Sequence, residues 1–276
     1  FFGIERPAGL APKAKEAALR AVALDDRLAE AHCALAGILK IYEWNWAGAE
    51  RAYEQALRLN PKNWQAHRGY AALLAASGRM NAAMHEIQRA HELDPLSLSI
   101  SMEIAWNLYM GRRYEEAIRQ ASRTLELEPR FFPAHHTLGL AFEATGRYEE
   151  ARAAFEQSAA GSGNPTASSA LARSLALMGE KEEARRLLAE LLALGRRSYV
   201  LPYLPAVIYA GLGEPDEALA WLERAFEDRD PYLVWIRTDP RLDSLRDRPQ
   251  FENLLARIEA GAAMDERDRG SAASGK

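Results

Sequence analysis

One cysteine, Cys33, is present in 276 residues, so no internal disulfide can form. That favours a reducing compartment without excluding the periplasm, and the expected location is the cytoplasm. No run of apolar residues is long enough to span a bilayer, and no signal-peptide pattern opens the chain. Lysine is scarce: of 35 basic residues six are lysine and 29 arginine, and the formal net charge is −4. That balance argues against a nucleic-acid partner. The arginines alternate with glutamates, as in Arg112-Arg113-Tyr114-Glu115-Glu116, which reads as a solvated, ion-paired helix face. No phosphate-binding loop, no G-x-G-x-x-G and no H-E-x-x-H is present. The six histidines lack metal-ligand spacing, and Cys33 has no activating neighbour. These absences predict no catalytic residue, no cofactor, no metal and no enzyme activity.

What is there is a period. Residues 64–95 read as two short helices joined by Ser77-Gly78-Arg79. Each carries apolar residues at the i, i+3, i+4 spacing of a half-buried helix: Tyr70, Leu73 and Leu74, then Ala83, Ile87, Ala90 and Leu93. The pattern restarts at Leu98, Phe132, Pro165 and Tyr199, after 34, 34, 33 and 34 residues. A fixed period of this size marks a helical solenoid. Small residues recur in phase, at Ala36, Ala71, Ala105, Gly139, Ala172 and Ala206, and again at Ala49, Ala83, Ala117, Ala151, Ala184 and Ala218. A large apolar residue follows the second set four positions on, at Tyr53, Ile87, Phe155, Leu188 and Leu222, with Ala121 the exception. Pro61, Pro95 and Pro129 close three units.

In these positions the chain resembles the tetratricopeptide repeat (TPR) family, whose unit is a 34-residue helix-turn-helix. The resemblance implies an all-α, right-handed superhelix: about six full repeats, an N-terminal half repeat and a C-terminal capping helix. The expected units lie near 29–63, 64–97, 98–131, 132–164, 165–198 and 199–231, within an array spanning 12–231. Residues 1–11 are expected to be irregular, with Pro12 opening a lone second helix. A cap is expected over 232–260, with Leu254, Leu255 and Ile258 on its apolar side. A disordered, charged then Gly/Ser/Ala-rich tail is expected over 261–276. The first unit is one residue longer, in the turn holding Trp44 and Trp46, which either cap the first unit's core or form an exposed anchor. A loosened joint is expected near 160–165, and Pro205 predicts a late start or a kink in the last first helix.

The ending D-P-R-L-D-S-L-R-D-R-P-Q-F-E-N-L-L, with E-W-N-W-A-G-A-E near the start, looks like the C-terminal TPR region of multidomain bacterial signalling proteins. There the repeats follow winged-helix, nucleotide cyclase or serine/threonine kinase domains. A chain opening Phe1-Phe2 is accordingly expected to be part of a longer protein.

In TPR arrays the first helices line the concave face. Carried over position by position, the fifth residues are Cys33, Arg68, Met102, His136, Ser169 and Tyr203. The ninth include Ala72, Trp106, Leu140 and Arg173, and the twelfth include Lys40, Tyr109 and Glu143. The lysine and asparagine that grip C-terminal carboxylates in chaperone-binding members are missing here. The resemblance therefore implies a peptide or protein groove formed by Arg68, Met102, Trp106, Tyr109, His136, Leu140, Glu143, Arg173 and Tyr203. Aromatics and methionine would supply apolar contact, and the arginines would favour acidic groups. The partner is a protein or peptide, with no nucleic acid and no membrane. The alternative is self-association, or regulation of an upstream domain.

Overall fold

The computed structural model describes residues 7–162 and 164–260. Among these it is helical throughout, with no strand. Helix α1 (Pro7–Leu24) is followed by six helix pairs. They are α2 (Ala29–Ile41) with α3 (Trp46–Leu59), α4 (Trp64–Ala76) with α5 (Met80–Leu93), and α6 (Leu98–Met110) with α7 (Tyr114–Leu127). The others are α8 (Phe132–Ala144) with α9 (Tyr148–Ser162), α10 (Pro165–Met178) with α11 (Lys181–Leu194), and α12 (Tyr203–Leu212) with α13 (Pro215–Glu227). Two 3-10 helices, Pro231–Trp235 and Pro240–Leu245, lead to α14 over 249–260. The architecture is an α-solenoid.

The recurrent small residues explain the pairing. Ala36, Ala71, Ala105, Ala172 and Ala206 are fully buried, as are Ala49, Ala83, Ala117, Ala151, Ala184 and Ala218. At Gly139 even a methyl group would meet the Phe155 ring at 2.6 Å, so glycine stands there in place of the alanine of the other units. His32, His67 and His135 recur for a related reason. Each Nε2 lies 2.8–3.1 Å from the carbonyl oxygen six residues earlier, of Asp26, Pro61 and Pro129, and so ties a first helix to the turn before it.

Successive first helices touch one another (α2 with α4, α4 with α6, and so on to α12), while each second helix from α3 to α11 packs mainly on its own partner and the next first helix. That asymmetry curves the array and puts the first helices on its inner face. The first helices of five units end in the same way. The amide of the residue after the turn donates to a carbonyl five residues back, as from Arg79 to Leu74 at 2.8 Å. The residue between takes a left-handed conformation. It is Gly78, Gly146, Gly179 and Gly213 in four units and Arg112 in the fifth, with φ of +60°.

One boundary differs from expectation, and another takes the late start that Pro205 predicts. Helix α1 starts at Pro7 and carries Pro12 inside it, so residues 7–11 are helical and not irregular. Pro12 is the sixth residue of the helix, so in the second turn it removes one backbone bond and crowds one carbonyl, leaving the rest of the helix intact. Helix α12 starts at Tyr203, four residues after the expected unit start, which puts Pro205 in its first turn. Gly163 within the expected joint, and the expected tail at 261–276, lie outside the described residues.

The C-terminal portion is more than a cap. Phe251, Leu254 and Ile258 of α14 bury the last hydrophobic face against Ala218, Leu222 and Ala225. Residues 231–245, however, run along the inner face and touch α12 at one end and α2 at the other.

Candidate functional site

The segment on the inner face is built from two Asp-Pro-x-Leu turns nine residues apart, Asp230-Pro231-Tyr232-Leu233 and Asp239-Pro240-Arg241-Leu242. In each, the aspartate caps a 3-10 helix by accepting from the amide two residues on, at 2.9 Å. Both aspartates and both leucines are fully buried. Tyr203 is held at both ends: its amide donates to Asp230 Oδ2 at 2.9 Å and its hydroxyl to Asp239 Oδ2 at 2.6 Å. Trp235 meets Trp106 edge-on, with centroids 5.7 Å apart, and packs against Leu74 and Ala75 of α4. At the far end Arg112 makes two bonds to Asp243, at 2.6 and 2.8 Å. Arg112 is therefore not part of the ion-paired outer face that its sequence neighbours suggested.

A charge cluster lies beneath. Arg241 and Asp239 form a buried pair at 2.6 Å, and Arg173 pairs with Glu143. Two acids and two bases balance, which is what permits their burial. Burial pulls the Asp239 carboxyl up, but the charge and hydrogen bonds of Arg241 and the Tyr203 hydroxyl outweigh it and leave it below the usual range. Asp230 has no cation beside it, and burial pushes it up to about 7. Burial raises the Tyr109 and Tyr203 phenols well above their ordinary value.

The proposed groove residues therefore divide. Met102, Trp106 and His136 line one open cavity of about 520 Å³ between α4, α6, α8, α10 and the C-terminal segment. Tyr109, Leu140 and Tyr203 are at most 1% exposed and Glu143 is buried in its ion pair, so none of the four presents an open groove surface. Arg173 is spent on Glu143. The physical reason is one the repeat pattern does not carry: residues 231–245 cover that part of the inner face. Arg68 stands at the edge, bonded to Glu103 at 2.8 Å. Nearby Lys40 is buried, donates to the Gly69 carbonyl at 3.3 Å and is pushed down to about 8 by burial. Trp44 is also buried, packing on Phe226 with Arg229 stacked over its ring at 4.2 Å. It thus joins the first unit to the last, and is neither a cap of the first core nor an exposed anchor.

Sequence reasoning missed Tyr232, Trp235, Asp239 and Arg241 as part of this site. The doubled Asp-Pro-x-Leu turn and the arginine at a glycine position were the available signals.

Burial pushes His136 down to about 3, with the Arg241 charge adding to the effect, so its ring is neutral. Among the described residues no group of three or more His, Cys, Asp or Glu could hold a metal ion, and no helix is long and apolar enough to cross a membrane. The arrangement offers a preformed apolar recess with a few neutral polar groups.

Tetratricopeptide repeat models match residues 43–101, 102–165 and 142–201. Together they cover more than half of the chain, which belongs to the tetratricopeptide repeat family. No curated protein sequence matches it. A tetratricopeptide repeat protein from Parabacteroides merdae ATCC 43184 is similar in structure, with a TM-score of 0.62 and 15% identity, over 85% of this chain and 93% of that one. A structure described as the APC/C hetero-tetramer Cut9-Hcn1 gives 0.62 and 14%, over 92% of this chain and 47% of that one. PilF of Pseudomonas aeruginosa gives 0.52 and 20%, over 84% and 98%. At these identities the likeness is one of fold. Proteins of this family generally serve as non-catalytic scaffolds that bind proteins or peptides.

Proposed function

We propose that this chain is a non-catalytic interaction module that binds a peptide or protein segment at the open part of its inner face, beside its own C-terminal segment. The observation that carries this is the recess lined by Met102, Trp106 and His136. It is held by four rigid helices, so little ordering entropy is lost on binding. Lys40 and Arg68 against the single carboxylate of Glu103 leave a net positive edge, which suits an acidic residue flanking the bound segment. The module would serve as the interaction part of a larger bacterial, cytoplasmic signalling or regulatory protein.

A second reading is intramolecular: the inner face primarily holds segments of its own protein. The 231–245 segment already seated there favours it.

Selection of displayed random peptides on the wild-type chain, with counter-selection on Ala72→Leu, separates the two. Ala72 lines the recess, so a leucine there fills it. Peptides that bind wild type, and that lose at least tenfold in affinity on Ala72→Leu, support the module reading. Selected peptides that bind both proteins equally place binding elsewhere and remove the recess from the account.

A further inference from the structure

The recess contains one buried polar side chain with no hydrogen-bond partner, Asn107, and beside it the half-buried ring of His136. Asn107 is 2% exposed, lines the cavity, and its side-chain amide bonds to nothing among the described residues. His136 also lines it; its Nδ1 is enclosed beside the Phe155 ring without a partner, which leaves Nε2 as the nitrogen able to meet a ligand. Buried polar groups are nearly always paired, so Asn107, unpaired on the wall of a cavity, calls for an explanation. The remaining walls are chiefly aromatic or apolar, with Trp106, Trp235, Phe132 and Met102, and Glu103, Thr137, Ser158, Asn164 and Thr166 add polar groups at the margins.

Charge narrows the choice. Apart from Lys40 at the edge, each ionised group near the cavity already has its counter-ion: Glu103 on Arg68, Glu143 on Arg173, Asp239 on Arg241. A charged side chain entering the recess would give up its hydration and find no partner. The chain itself shows what this face accepts, since it seats Trp235 against Trp106 and stacks Tyr232 on Tyr203 at 5.4 Å.

We infer that the recess receives an uncharged aromatic side chain bearing one hydrogen-bonding atom, as a tyrosine does, with Asn107 and His136 as its polar contacts. The inference rests on the module reading above. It makes Trp235 a ligand contact supplied by the C-terminal segment.

The test follows the indole N–H signals of the protein by NMR, with those of Trp106 and Trp235 assigned through Trp106→Phe and Trp235→Phe. Four probes are titrated: the N-acetyl amides of tyrosine, phenylalanine, glutamic acid and lysine. The expected result is saturable shifts of the Trp106 and Trp235 signals with the tyrosine amide. The phenylalanine amide binds about fivefold more weakly, the value of one neutral hydrogen bond, and the charged amides leave both signals in place. Asn107→Leu, close in volume, abolishes the preference for tyrosine. Ala72→Leu abolishes binding while the Trp221 signal, outside the recess, reports an intact fold. Shifts of equal size with charged and aromatic amides overturn the inference, as does the absence of any shift with the tyrosine amide. If that happens while a selected peptide still moves the Trp106 signal, the ligand class is wrong and the module reading stands. If neither moves it, both fall.

Discussion

Among the described residues three non-glycine residues adopt left-handed backbone conformations, Trp44, Arg112 and Arg229, with φ of +53°, +60° and +54°. All three fasten the two ends of the array or its C-terminal segment. Arg229 stacks on Trp44, and Arg112 holds Asp243. The equivalent turn residue is glycine in four other units, so Arg112 carries a strain of about 1–2 kcal/mol that glycine avoids. Its ion pair with Asp243 is roughly half exposed and worth about 0–1 kcal/mol. The strain is therefore the larger quantity. Arg112→Gly is expected to exceed Arg112→Ala in stability by about 1 kcal/mol in urea unfolding, because alanine loses the pair and keeps the strain. Both variants should exchange amides in 238–246 faster than wild type. Equal stability of the two variants would contradict the left-handed turn.

Among the elements, the inner-face segment depends on its aspartate caps. Tyr203→Phe removes the bond from the hydroxyl to Asp239 and is expected to cost about 1–2 kcal/mol, read as a lowered urea midpoint. Asp230 titrates with the opposite sign from a salt-bridged carboxylate. Its folded pKa of about 7 lies above the ordinary value of 3.8, raised by burial and, further, by the charge of Asp228. The folded protein then binds the extra proton, so the contribution of Asp230 is full below pH 4 and is lost as pH rises to 7. The stability difference between wild type and Asp230→Asn should accordingly be larger at pH 5 than at pH 8. A difference that grows with pH would contradict a neutral Asp230. The repeat helices were legible in the sequence because small residues at two fixed positions decide how each pair packs. The contacts of 231–245 were not legible, because they join residues more than a hundred apart, such as Arg112 with Asp243, and no period encodes them. Part of the expected groove was misread for that reason: Tyr109, Glu143 and Tyr203 are buried on a face that the C-terminal segment already covers.

The whole molecule closes on itself. Trp44 of the first unit shares one core with Leu219, Leu222 and Phe251 of the last unit and α14, and 231–245 spans the face between them. Trp44→Ala is expected to cost about 3–5 kcal/mol and to raise the radius of gyration in small-angle scattering as the ends part. An unchanged radius would show that closure does not depend on this residue. The chain itself occupies the inner face except at the Trp106 recess, and amide hydrogen exchange across 231–245 tests this most directly. Protection there should match that of α12 and α13, because Leu233, Leu242 and Leu245 are fully buried and the two aspartate caps hold the turns. Exchange within seconds, as for an undocked tail, would contradict it: the inner face would then be open along its length, and the recess would lack the wall formed by Tyr232 and Trp235.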